Sequence, residues 1–375
     1  MDGKGFIVPI TYQLFGEVEQ TAQHPPLYTV VLALPSLFGL RSVLAHQLWS
    51  CLVGTGTVAL TGLIGRRLAG GRTGLIAAGI AAVHPNLWLY DGMVLSETLS
   101  LFTIALTLLA GYRFWDRASF RTAAELGTAS ALAALTRGEA LLLVPLVVLP
   151  LPLMLRGVGV RRRLELAAAG AVVAALVLAP WVLHNLTRFH HPVWATSTSY
   201  GLALVQGNCE GPYYGPDIGY YSLACIPPTP EGDETDDDRH YRRVARDYIK
   251  ANGGRLPFVM LARVARTWGL YAVPRQLALD SFFEKRPPQL VWSGYAIYVM
   301  LLAASVPGGV ILRRQRVPLW PLLAMVVTVT VTAAITVGNT RYRISAELIP
   351  VLLAAVAADA LLRRERRQGV PTVVT

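Results

Sequence analysis

Apolar runs recur along this chain at the length a helix needs to cross a bilayer, about 20 residues, and short polar turns separate them. The first convincing run covers 42–64 and ends at Gly65-Arg66-Arg67. Further runs follow at 73–90, 95–114, 123–135, 140–155 and 164–186. A long polar stretch intervenes, and three more runs lie at 289–312, 318–337 and 344–362. Ahead of them all, His24 to Leu40 is apolar but short and carries Pro35, which predicts a re-entrant or interfacial helix. The pattern predicts an all-α polytopic membrane protein. Its parts are an entry segment, 1–41; a first block of six spans, 42–186; a large loop, 187–288; a second block of three spans, 289–362; and a tail, 363–375.

Composition agrees with that pattern. Hydrophobic residues make up 53% and charged residues 15% of the 375, against about 25% charged in soluble domains. The net charge of +11 first suggests nucleic acid, but the arginines cluster in short turns at 65–72, 113–121, 156–163, 313–316 and 363–367. Basic turns of this kind face the cytoplasm, so nucleic-acid binding is set aside. The turns at 84–97, 136–139, 185–288 and 338–343 then lie outside. Nine spans with a cytoplasmic C-terminus place the N-terminus outside as well. Nothing at the N-terminus drives export of that polar segment, so the expectation is an N-terminal helix missing from this reading of the gene. The alternative is a short tail that crosses together with the first helix.

Chemistry concentrates at the outer turns. Asp91 and Glu97 flank Ser96 in the stretch HPNLWLYDGMVLSETLSL, and a carboxylate this close to hydrocarbon must face water, a partner or a ligand. Arg137 and Glu139 form the tip of a very tight hairpin. His184, Asn185 and Arg188 end the sixth span, while Asn339, Arg341, Tyr342, Arg343 and Glu347 begin the last. Cations and carboxylates gathered at one membrane face suit a lipid-phosphate donor with sugar hydroxyls beyond it. Arginine forks grip phosphate oxygens, and a carboxylate takes a proton from an acceptor hydroxyl. Each group also has a plain structural reading: a hairpin ion pair for Arg137–Glu139, a helix cap for Asp91, interface anchors for Arg341 and Arg343. Glu97, inside the start of a span, fits such a reading least.

The loop 187–288 is mostly polar. EGDETDDD at 231–238 reads as a solvated acidic run with calcium binding as its alternative. Arg239 to Lys250 and Pro257 to Tyr271 have helical spacing and arginine-rich faces that suit helices lying on the membrane surface. Cys209 and Cys225 share this loop, where an oxidising compartment permits a disulfide. Cys51 falls inside an apolar run and reads as a core residue. The sequence has no HExxH, paired CxxC, Walker-type glycine loop or nucleophile elbow, which argues against a metalloprotease, an ATPase and a serine hydrolase.

Seven stretches in order carry a resemblance. They are HPPLY at 24–28, LIGRRLAGGRTGLIAAGIAAVHP at 63–85, LSETL at 95–99, LTRGE at 135–139, PWVLHN at 180–185, GLALVQGNCEGPYYGPDIGYYSLAC at 201–225 and NTRYRISAELIP at 339–350. The series resembles the GT-C glycosyltransferases of the family 39, protein O-mannosyltransferase-like group, over nearly the whole chain. The resemblance implies a GT-C-type helix bundle and an inverting transferase at the outer membrane face. It would move a mannose-like sugar from a polyprenyl phosphate to a hydroxyl of a protein or glycan acceptor. Donor phosphate would be held by Arg343 with Arg137 or Arg341, and Asp91 and Glu97 would serve catalysis. His24, Glu139, Asn185, Asn208 and Tyr342 would line the polar cavity. No motif demands a cofactor, and a divalent cation is left open. Such proteins also carry an acid in the first outer loop. Here Glu17 and Glu19 are the only acids near HPPLY, and neither is a convincing replacement. The rival readings are a non-catalytic relative of the same fold and a lipid-linked-sugar transporter or flippase, though the latter's internal repeats are not visible.

Overall fold

The computed structural model describes residues 5–368, with side chains described to Arg363. The tail assigned to 363–375 therefore lies outside the described residues, apart from Arg363 and the helix backbone to Gln368. The regular structure of the described residues is helical, with one isolated antiparallel bridge between Ile7 and Gln20. The principal helices are α1 (Leu27–Leu37), α2 (Val43–Ala69), α3 (Gly71–Val83), α4 (Ser96–Asp116), α5 (Phe120–Ala134) and α6 (Val160–Leu186). After them come α7 (Tyr200–Gly207), α8 (Glu234–Ala251), α9 (Leu256–Thr267), α10 (Val273–Phe283), α11 (Pro288–Arg314), α12 (Trp320–Ile335) and α13 (Leu348–Gln368).

Among the described residues α2, α4, α6 and α11 are long and apolar enough to cross a membrane. A fifth span arises if the turn Thr340–Ala346 and the following helix, bent by 53°, count as one. The protein is thus a multi-pass membrane protein. The nine expected runs are all helical, but the others are short or broken, and proline explains two of them. Pro85 stops α3 after 13 residues, because the residue before a proline avoids the helical region. His84 there is extended at ψ 113, and the chain then turns through Asp91–Met93. The run 140–155 contains Pro145, Pro150 and Pro152. It breaks into a 3₁₀ turn, a π turn and a short helix, since each proline removes a backbone donor.

Small residues let the helices meet closely, as in other membrane bundles. A Cβ on Gly127 of α5 would strike the carbonyl of Gly170 on α6, and one on Gly308 of α11 would strike that of Leu353 on α13. The main core lies between α4, α5, α12 and α13, with Leu108, Phe114, Leu126, Met325, Leu348 and Val351 essentially inaccessible to water.

The polar segment 187–288 is folded onto one end of this bundle. The disulfide Cys209–Cys225 is present, with Cα atoms 6.1 Å apart. Arg263 and Arg266 of α9 are buried and point inward. Arg263 donates to the carbonyl of Gly207 at 2.6 Å and to those of Ala334 and Ile335 at the end of α12. Arg266 donates to the Ile218 carbonyl at 2.5 Å. The arginine-rich face expected on the surface here is an anchor, and α9 exposes Phe258 and Leu261 instead. The run Glu231–Asp238 is likewise more than a solvated acidic tract. Asp233 caps α8, Glu234 accepts from the Ala22 amide at 2.5 Å, and Asp238 accepts from the Gly201 amide at 2.6 Å. These carboxylates clamp the entry segment and α7 to α8. Cys51, expected in the core, is exposed along α2.

Candidate active site

The turns preceding α4, following α5 and preceding α13 meet at one end of the bundle, and their charged side chains converge on Glu97. This carboxylate opens α4 and is wholly buried. Its Oε1 accepts from Arg137 Nη1 at 2.5 Å and from Arg341 Nε. Its Oε2 has no hydrogen-bond partner among the described residues. Arg137 also donates to Glu139 at 2.5 Å, and its guanidinium lies 5.7 Å from the ring centre of Tyr342. Ionised groups this deep cost several kcal/mol each unless paired, so the tight pairing is what allows them to share the site. Arg341 keeps 35% of its side chain exposed, against 11% for Arg137, and therefore faces the open side. His24 stands at the rim. Partial desolvation and then the charges of Arg137 and Arg341 hold its imidazole below the usual histidine range.

The structure thus brings together five of the residues singled out from sequence: Glu97, Arg137, Glu139, Arg341 and Tyr342, with His24 beside them. It separates others. Asp91 accepts from Thr98 at 2.8 Å and packs against Gly54 of α2, where a Cβ would collide with its carboxylate. Burial pushes its carboxyl up to about 6, and it forms no pair with Glu97. Arg343, expected to hold phosphate, is buried and turned into the bundle. It donates to Glu347 at 2.9 Å and lies 3.6 Å over the ring of Tyr298. Glu347 in turn accepts from Asn86 at 2.5 Å and contacts His84 at 3.2 Å. Arg343 therefore ties the last span to the turn after α3. Asn208 is fastened to Tyr213 and Arg263 at 2.8 and 2.9 Å, so it braces the polar segment rather than lining the arginine cluster. Asn185 is fully buried and its amide has no partner among the described residues; its neighbour one turn earlier, Trp181, is fixed to the Thr196 carbonyl.

One group near the cluster was not singled out from sequence. Glu284, in the turn between α10 and α11, pairs with Arg286, whose guanidinium lies 4.4 Å over the ring of Tyr90. Burial drives the Glu284 carboxyl up to about 7, and among the charges it feels are Arg341 and Glu97. Asp280, one turn earlier, accepts from Thr340 at 2.5 Å. The signal available was EKRPP directly before an apolar run, which resembles any charged span flank.

For a metal, the described residues bring one set of donors together: His190, Asp233 and Asp236, with ligand atoms within 4.8 Å of one another. That is where a divalent cation would sit. It lies on the polar segment, and its donors are already engaged, since Asp233 caps α8 and Asp236 contacts both His190 and His191 at 2.9 Å.

Comparison with known proteins agrees with this architecture. Residues 23–184 match the dolichyl-phosphate-mannose-protein mannosyltransferase family. No curated protein sequence matches the chain. Among solved structures, the archaeal oligosaccharyltransferase AglB from Archaeoglobus fulgidus, in complex with an inhibitory peptide and a dolichol-phosphate, is similar over 97% of this chain. Its TM-score is 0.50 and its identity 13%. The chain spans about half the length of that protein, 47%. ArnT from Cupriavidus metallidurans bound to undecaprenyl phosphate aligns over 95% of this chain and 72% of its own, at 17% identity and a TM-score of 0.39. The fold is that of a polytopic helical membrane protein, similar in architecture to that oligosaccharyltransferase over nearly the whole chain.

Proposed function

We propose that the protein is an inverting glycosyltransferase that moves a sugar, mannose-like by its family match, from a polyprenyl phosphate to a hydroxyl acceptor at the outer membrane face. The observation that carries this reading is the pair Arg137 and Arg341 on one oxygen of the buried Glu97. Both guanidinium groups are held in place by carboxylates, and Arg341 is the more exposed of the two. A phosphate there gains charge-assisted hydrogen bonds, and the same donors stabilise the negative charge that develops as the sugar leaves. Glu97 acts as their positioning residue.

The acceptor proton needs a base whose acidity lies near neutrality. Two carboxyls qualify, Asp91 at about 6 and Glu284 at about 7. Glu284 feels the charges of Arg341 and Glu97, so we assign it the role of base; Asp91 is the alternative. The donor-lipid reading draws support from the dolichol-phosphate held by the similar archaeal oligosaccharyltransferase.

The test is transfer from radiolabelled polyprenyl-phosphate mannose in membranes, comparing the chain with Arg341→Ala, Glu284→Gln and Asp91→Asn. Activity that falls about 100-fold or more in Arg341→Ala and in one of the carboxyl variants supports the reading and identifies the base. Silence of the parent chain with several donor sugars overturns it in favour of a non-catalytic relative.

A further inference from the structure

Two joined cavities lie on the polar segment, away from Glu97. The larger, ≈ 560 Å³, is lined by Arg239, Arg242, Arg243 and Arg246 of α8 together with the acids Glu231 and Asp236. The smaller, ≈ 320 Å³, shares His191, Arg239 and Arg242 with it and adds Trp194. Positions 239, 242, 243 and 246 fall on one helix face and spread positive charge over about 10 Å of it. Arg242 is held by Asp238 at 2.6 Å, whereas Arg243 and Arg246 are exposed and form no ion pair among the described residues. Trp194 is 74% exposed and Tyr200 42% exposed, and Tyr200 carries the Arg242 guanidinium at 5.1 Å.

Exposed arginines and exposed aromatic rings together suit a saccharide chain with negative substituents: the forks take carboxylate or phosphate, and the rings offer flat apolar faces to sugar rings. A lipid surface fits less well. A helix lying in a membrane interface presents large apolar side chains, and α8 exposes none, whereas the neighbouring α9 exposes Phe258 and Leu261. The cleft also lies close to the arginine cluster. Its wall continues into Thr196 and Ser197, which stand against Gly138 beside Arg137, and Ser197 donates to the Gln23 carbonyl next to His24.

We propose that these cavities form an acceptor-chain subsite for a glycan bearing carboxylate or phosphate groups, seated across α8 and Trp194. The proposal rests on the transferase reading only for the word acceptor; binding itself is independent of transfer.

The experiment measures binding to the full chain in detergent. The probes are an oligogalacturonate, a neutral malto-oligosaccharide of equal length, inorganic polyphosphate, and phosphatidylglycerol–phosphatidylcholine vesicles. The variants are Arg243→Gln with Arg246→Gln, and Trp194→Ala. The expected result is oligogalacturonate binding that weakens about tenfold or more in each variant and falls with added salt. Polyphosphate should depend on the arginines and not on Trp194, which marks the free anion as the source of that part of the affinity. Unchanged oligogalacturonate binding in both variants overturns the proposal, as does binding to vesicles alone. Polymer binding that obeys these residues in a chain without transferase activity retains the subsite and removes the catalytic reading.

Discussion

Glu97 is the residue that holds Arg137 and Arg341 together, and its environment makes a sharp prediction. Its carboxylate is buried and shared by Arg137 and Arg341. Replacing it by Gln leaves two guanidinium groups facing a neutral amide, and breaking a buried ion pair from one side costs about 3–5 kcal/mol. Glu97→Gln should therefore lower the melting temperature in detergent markedly, while Tyr342→Phe should not. Glu284 predicts a pH dependence. Its carboxyl is pushed up to about 7 by burial, so the basic form accumulates only as pH rises past that value. Transfer should climb through about pH 7, and Glu284→Gln should give a low, flat profile; a parent profile already level from pH 5 would remove Glu284 from the role. Sequence reading located Glu97, Arg137 and Arg341 because charge next to a span is expensive wherever it occurs. It did not separate Arg343 from them, since spacing alone does not say which of two neighbouring arginines turns inward. The 3₁₀ turn Thr340–Ala346 decides that.

Helices in this bundle approach until backbone meets backbone, and this sets the tolerance of each contact. Gly308 of α11 faces the Leu353 carbonyl on α13, and these two helices carry one of the largest interfaces of the molecule. A valine at Gly308 must push α11 away, an overpacking cost of about 1–3 kcal/mol, whereas Gly309 has open space around it. Gly308→Val should reduce folded yield and thermal stability, with Gly309→Val close to the parent. The existence of the helices was legible from the apolar runs, whereas 140–155 read as one span and is broken at its prolines. The inward turn of α9 was not. Its arginines look solvent-bound in sequence, yet backbone carbonyls of the segment and of α12 satisfy them, and partners so distant in the chain leave no local signature.

The two ends of the whole molecule differ in kind. At one end Arg67 pairs with Asp116, Arg72 with Asp359 at 3.4 Å, and Arg363 with Asp359 at 2.6 Å. The turns between α2 and α3 and between α4 and α5 therefore gather there with the last helix. At the other end sit Glu97 with its arginines, His84 with Glu347, and the folded segment 187–288. The basic turns read from sequence as cytoplasmic thus share one end, and the polar turns share the opposite one. Arg314 and Arg243 are exposed representatives of the two ends. In a chain with Cys51→Ser, a cysteine placed at Arg314 should react with a membrane-impermeant thiol reagent only after the cells are opened. One placed at Arg243 should react in intact cells. The Cys209–Cys225 pair, being disulfide-bonded, contributes no background until it is reduced. The positive-inside bias acts on the short basic turn that holds Arg314, and Arg243 lies in the segment folded onto the opposite end of the bundle. Labelling of both sites from one side would break the topology, and with it the outer placement proposed for the arginine cluster.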